Sequence, residues 1–369
     1  MRVLFQSRRD AFDCYGGDTT QMMQTKKYLE KLGAEVFVDL SLDPDLSQMS
    51  FDLVHIFNIQ NADYALIQLK NAKKYNLPVV LSTIYWDMNN GKVSSSVKSI
   101  FRNFYRSIPY SFLKHIPLYS KTSTGRRRYR YDKMSDMLAM ADLLLPNSVA
   151  ESEQLALHFL MPSIRQKIKI IPNGVDKEIA SLSQCSDCHG QAKVVEDLPD
   201  SYVLQVARIE PIKGQLHVIE SLAKYADIPI VFLGRSNDSV YMDKCKKAAI
   251  SRGNVYFIDQ VKSECVRIFY KKAKVHVLPS MRESPGLVTL EASMFLCNCV
   301  VSFHGPVVEY FGDMVQYCDP ENNQSVESAI ILAWTSNKSR KLRRFVLDNF
   351  TWEIAASKTY EAYKGLLLK

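Results

Sequence analysis

The chain has 369 residues, 47% apolar and 11% aromatic, enough for two ordinary domain cores and too apolar for a disordered or collagen-like protein. Its formal net charge is +8, and no apolar run approaches the roughly 18 residues of a membrane span. The opening Met1-Arg2-Val3-Leu4-Phe5-Gln6-Ser7-Arg8-Arg9 turns polar too soon for a signal peptide, so a non-spanning intracellular protein is expected.

Short apolar runs alternate with amphipathic stretches, the pattern of strand-helix-strand units around a parallel sheet, and the pattern occurs twice. In the first half, strands are predicted at Arg2 to Ser7, Glu35 to Leu40, Leu53 to Asn58, Pro78 to Thr83, Leu143 to Asn147 and Ile168 to Pro172. A helix is predicted over Thr19 to Leu32, with Asp18 capping its free N–H groups and Gln21 reaching back. Asp43-Pro44-Asp45, a D-x-D between the second and third strands, reads as a turn. Residues 176–200 lack periodicity and read as a junction.

The second half has predicted strands at Tyr202 to Arg208, Pro229 to Leu233, Val255 to Asp259, Val275 to Pro279, Cys299 to Phe303 and Met314 to Tyr317. Thr351 to Leu368 is a separate amphipathic helix expected to cross back to the first domain. The fold class is therefore α/β, two doubly wound Rossmann-like domains facing across a cleft. One comprises residues 1–175 completed by 351–369, the other 176–350. Ligands of such sheets bind at the carboxyl ends of the strands.

The cysteines at 14, 185, 188, 245, 265, 297, 299 and 318 are expected to be thiols in an intracellular chain. Cys185-Ser186-Asp187-Cys188-His189 spells a haem-attachment pattern, which belongs to exported proteins, and no second cysteine pair stands at zinc-site spacing. The histidines form no close ligand pair, so no metal is expected. Charge is concentrated: between Gly91 and Lys133 eleven Lys and Arg face one acid, Asp132, and aromatic residues are interleaved. That segment predicts contact with something anionic and partly apolar.

Three stretches fit phosphate and sugar chemistry. Gly16-Gly17-Asp18 follows the first strand and opens a helix, where N–H groups favour an anion. Arg208 and Lys213 lie at the carboxyl end of the second domain's first strand, two cations suited to a diphosphate. Glu283-Ser284-Pro285-Gly286-Leu287 follows another strand, with Pro285 predicted in the first helical turn and Glu291 about a turn and a half inside the helix. Neither G-x-G-x-x-G nor G-x-x-x-x-G-K-[ST] occurs, which removes the main support for a dehydrogenase or a P-loop NTPase.

These residues, in this order and with Leu145-Pro146-Asn147-Ser148, Ile171-Pro172-Asn173-Gly174-Val175-Asp176 and Phe350-Thr351-Trp352-Glu353, resemble the family 4 retaining glycosyltransferases of GT-B architecture. The resemblance implies that the first domain binds the acceptor and the second a nucleotide-sugar donor. It implies that Arg208 and Lys213 bind the donor diphosphate, that Gly286 and Leu287 offer it N–H groups, and that Glu283 holds sugar hydroxyls and Glu291 ribose hydroxyls. Gln260 and Val261 would contact the nucleobase, and Gly16 and Gly17 would complete the donor site. By the same resemblance Glu283, Arg208 and Lys213 would form the catalytic set, with no covalent nucleophile and no metal cofactor expected. Many members carry a His after the fourth strand, where this chain offers Tyr85 or Asp87.

The expected function is transfer of a hexose or N-acetylhexosamine, from a UDP-sugar first and GDP-mannose second, to a lipid-linked or polysaccharide acceptor in cell-surface glycan (O-antigen or capsule) assembly. Tyr85, Asp87, Arg126, Arg127, Arg128 and Arg130 are the expected acceptor or membrane contacts, and nucleic acid is not an expected partner. The expected location is cytoplasmic, peripheral on the inner face of the cell membrane. The competing readings are a polyanion or RNA binder using segment 91–133 and a sugar-nucleotide epimerase or hydrolase of the same architecture.

Overall fold

The computed structural model describes residues 1–86, 123–180 and 189–368, with only the backbone of 123–128, 189 and 191. Asp87, most of segment 91–133, Cys185 and Cys188 lie outside the described residues, as do the side chains of Arg126, Arg127 and Arg128. The chain divides into two compact units, Met1–Pro172 with Ala355–Lys369, and Asn173–Ile354.

The first unit is built on a parallel sheet of β1 (Arg2–Gln6), β2 (Glu35–Val38), β3 (Leu53–Phe57), β4 (Val79–Ser82) and β5 (Leu143–Leu144), in the order β2-β1-β3-β4-β5. Strands β3 and β4 are buried at every position, the signature of a sheet covered on both faces. At the centre of the unit His55 bonds Tyr363 of the terminal helix Trp352–Leu367 through Nδ1 at 2.5 Å and Ser82 through Nε2 at 2.9 Å. The predicted strand at Ile168 to Pro172 is reduced to one bridge, Leu144 to Ile168. Lys169 N–H still reaches the Leu144 carbonyl and Ile171 N–H the Pro146 carbonyl, but Pro146 and Pro172 have no N–H with which to continue the ladder.

The second unit carries β6 (Tyr202–Val206), β7 (Ile230–Leu233), β8 (Val255–Ile258), β9 (Ala273–Leu278), β10 (Asn298–Ser302) and β11 (Gln316–Cys318), all parallel, in the order β11-β10-β9-β6-β7-β8. The chain leaves β6 on one side through β7 and on the other through β9, so the strand order reverses between β6 and β9. That reversal opens a crevice at the carboxyl ends, where ligands of doubly wound sheets bind.

Three further local expectations change. The junction contains a helix, His189–Glu196, after which Leu198 packs with Val195 into the core of the second unit. Gly16, not Asp18, is the N-cap of helix Gly17–Lys31; Asp18 accepts from the Thr19 N–H at 2.9 Å, and Gln21 is buried and donates to Ser82 Oγ at 3.4 Å instead of reaching back. Cys265 is held in a disulfide, whereas Cys14, Cys245, Cys297, Cys299 and Cys318 are free thiols. Compartment statistics argue about cysteines in general, and they say nothing about which sulfurs a fold brings within bonding distance. Asp45 behaves as the turn reading requires, accepting from Ser47 N–H at 2.9 Å and Tyr75 hydroxyl at 3.1 Å.

Candidate active site

The crevice of the second unit collects the residues singled out in the sequence. After β6 the chain runs through Arg208 to a short turn, Pro211–Lys213, and then Gly214, whose φ of 73° places it in the left-handed region. A side chain at Gly214 would stand 2.9 Å from the Pro279 carbonyl, so glycine lets this loop lie against the end of β9. Met281 N–H bonds the Ile212 carbonyl at 2.9 Å and ties the two strand ends together.

This approach sets Lys213 Nζ 2.5 Å from Glu283 Oε1, with both side chains mostly shielded from solvent. Arg208 is 66% exposed and pairs with Glu210 at 3.1 Å, so its guanidinium is open to a ligand. Gly286, at φ 84°, is the N-cap of helix Leu287–Met294. Pro285 therefore precedes the helix and does not form its first turn, because the left-handed turn at Gly286 must come first. A Cβ on Gly286 would meet Leu278 Cδ2 at 3.1 Å and Glu283 Oε2 at 3.7 Å. First-turn N–H groups have no intrahelical acceptor, which leaves this end suited to an anion.

Glu291, on the same helix, is half-buried and accepts from the Tyr270 hydroxyl at 3.3 Å. Burial pushes its carboxyl up to about 7. His276, on β9, is fully buried, bonds Thr289 Oγ1 at 3.1 Å, and is pushed down to about 3 by desolvation, so it is neutral.

An open hollow of about 500 Å³ lies at the ends of β7 and β8, lined by Arg235, Asp259, Gln260, Val261 and Lys262. It adjoins the Arg208 loop, since Ile209 N–H bonds the Arg235 carbonyl at 2.9 Å. Arg235 was missed in the sequence, although Gly234-Arg235 follows an apolar strand as Arg208 does. Among the described residues no three His, Cys, Asp or Glu side chains gather as metal ligands.

The remaining expected contacts belong to the first unit. Gly16 is extended, and a Cβ there would stand 3.0 Å from Asp18 Oδ1, so its smallness accommodates the ion pair between Arg8 Nε and Asp18 Oδ2 at 3.0 Å. Gly17 is the first residue of the helix. Asp18 also accepts from Asn58 Nδ2 at 3.0 Å, which ties the glycine loop to the end of β3. Tyr85 is 6% exposed, its ring against Phe159 and its N–H donated to Glu151 Oε1 at 2.7 Å. The Tyr85 side chain thus belongs to the core of the first unit. Arg130 is exposed on helix Ser123–Met140.

Residues 191–345 match the family model described as glycosyl transferases group 1. The chain is 25% identical over 211 residues to an uncharacterized glycosyltransferase of Methanocaldococcus jannaschii, covering 54% of each. It is 25% identical over 213 residues to the O-antigen biosynthesis glycosyltransferase WclY of Escherichia coli, covering 57% of this chain and 58% of that one. The chain thus spans little more than half the length of these curated relatives. In fold it is similar to HepE of Anabaena, solved in complex with UDP, with a TM-score of 0.69 at 16% identity over 99% of this chain and 100% of that chain. Residues 191–345 thus match the glycosyl transferases group 1 model, within a chain that has the GT-B fold and resembles the family 4 glycosyltransferases.

Proposed function

We propose that this protein is a retaining, metal-independent glycosyltransferase that moves a hexosyl or N-acetylhexosaminyl group from a nucleoside diphosphate sugar, UDP-linked first and GDP-linked second, to a lipid-linked or polysaccharide acceptor in cell-surface glycan assembly. The observation that carries the reading is the Lys213–Glu283 pair at 2.5 Å, set where the strand order reverses and beside the helix start at Gly286. The UDP bound in HepE and the O-antigen role in the name of WclY support the choice of donor and pathway.

The bond between the anomeric carbon and the diphosphate oxygen breaks, and its electron pair leaves with the phosphate. Arg208, Lys213 and the N–H groups of Gly286 and Leu287 stabilise that charge without reorganisation, being fixed beforehand. Glu283 accepts from donor-sugar hydroxyls while it holds Lys213, and Glu291 accepts from the ribose. The acceptor hydroxyl forms the new bond on the face the phosphate leaves, and its proton passes to the departing phosphate oxygen, so no enzyme nucleophile is needed. Peripheral membrane attachment through the basic segment completes the proposal, each cation near an anionic surface contributing roughly 1 kcal/mol.

A thermal-shift screen with UDP, GDP, ADP and NAD in EDTA tests the donor. At a hundredfold excess over Kd the bound nucleotide adds about 2.7 kcal/mol. Stabilisation by UDP or GDP, lost in Glu291→Ala, is the expected result; no shift with any nucleotide sinks the reading.

A further inference from the structure

The loop that carries both cations is stapled from inside by two glutamines. Gln205, on β6 and 1% exposed, donates Nε2 to the Lys213 carbonyl at 2.7 Å. Gln215, also 1% exposed, donates Nε2 to the Arg208 carbonyl at 2.9 Å. A carbonyl only accepts, so each amide has one permitted orientation, with its NH2 toward the loop and its oxygen turned away. Both Oε1 atoms are then buried without a partner, as is Ser280 Oγ on the neighbouring strand end. An apolar side chain at either position would remove the orphaned amide oxygen, at the cost of leaving the Lys213 or Arg208 carbonyl without its donor. What the amide adds is its bond to the loop.

We propose that Gln205 and Gln215 are positioning residues that fix the Lys213 and Arg208 backbone so that the two cations present a preset pair of charges to a donor diphosphate. The inference rests on the donor reading above and extends it to residues that touch no substrate. Each glutamine grips the loop at one of its two cationic residues, one from the strand before it and one from the helix after it. Placement matters because an error of about 1 Å in such a group costs on the order of a hundredfold in rate.

UDP and UMP, with GDP and GMP in parallel, are titrated calorimetrically into the wild type, Gln205→Leu and Gln215→Leu. UDP differs from UMP only in the second phosphate, so the ratio of their affinities reads the placement of the cations and ignores base and ribose. The expected result is a preference for the diphosphate in the wild type that falls about tenfold or more in each variant, with UMP affinity held. Folded variants with an unchanged ratio overturn the proposal, as does an equal loss of UDP and UMP affinity accompanied by a lower melting temperature. A variant that does not fold is replaced by Gln205→Met or Gln215→Met, which keeps the length without the amide. A wild type that binds none of the four nucleotides overturns the donor reading itself, an outcome distinct from either of these.

Discussion

Lys213 shows how one contact could serve both stability and the proposed chemistry. Its ammonium and the Glu283 carboxylate are 2.5 Å apart, with side-chain exposures of 19% and 13%, so neither charge has much water to fall back on. Removing one partner strands the other, which in buried pairs costs about 3–5 kcal/mol, whereas removing both can be nearly neutral. Partial exposure lowers that figure here, to about 2 kcal/mol. Lys213→Met should therefore destabilise more than Lys213→Met with Glu283→Gln, while the proposed transferase activity should be lost in both. Urea unfolding of the two singles and the double completes the cycle, and additive losses would show that the pair contributes nothing. The pairing could not be read from the sequence, because 70 residues separate the partners.

At the scale of elements, the strand positions were legible because both sheets are covered on both faces, which leaves unbroken apolar runs such as Leu53–Phe57 and Ile230–Leu233. The placement of the candidate residues followed from them: doubly wound topology puts Arg208, Lys213 and Glu283 at strand ends in a crevice. What stayed hidden depends on contacts between distant elements. Tyr85 beside a strand end reads the same whether it binds a ligand or fills a core, and only its packing on Phe159 decides. Gln205 looks like one polar residue in a strand until the Lys213 carbonyl is seen against it. The terminal helix is a further case, since its amphipathic pattern predicts burial but not the bond from Tyr363 to His55, both fully buried. Tyr363→Phe keeps the ring and leaves a ring nitrogen of His55 unpaired, which should cost about 1–3 kcal/mol. Chemical denaturation would show it as a lower midpoint at unchanged m-value, and an unaltered midpoint would mean that helix packing alone holds the terminus.

For the whole molecule, two buried histidines and the half-buried Glu291 contribute to how stability changes with pH. His55 in one unit and His276 in the other are both pushed down to about 3 by desolvation, against 6.5 when free. Between those values the unfolded chain binds protons that the folded chain refuses, so the stability they carry is complete above about 6.5 and is lost as pH falls toward 3, up to about 4 kcal/mol for each. Glu291 acts in the opposite sense. Its carboxyl is pushed up from 4.5 to about 7, so its contribution is complete below 4.5 and is lost as pH rises through 7, up to about 3 kcal/mol. From about 4.5 to 6.5 the two histidines outweigh the one carboxyl, and from 6.5 to 7 only the carboxyl still changes, which puts the maximum due to these groups near pH 6.5. Glu291→Gln should then raise the melting temperature at pH 8 and leave it nearly unchanged at pH 4.5, while weakening nucleotide binding, because the charge that costs stability is the one proposed to hold the ribose. His55→Gln should roughly halve the histidine share of the fall in melting temperature between pH 6.5 and 4. Melting curves of wild type and both variants at half-unit pH steps decide the matter. A Glu291→Gln difference that is constant with pH would mean that Glu291 titrates alike folded and unfolded, and an unchanged slope in His55→Gln would mean that His55 takes up its proton without opening the first unit.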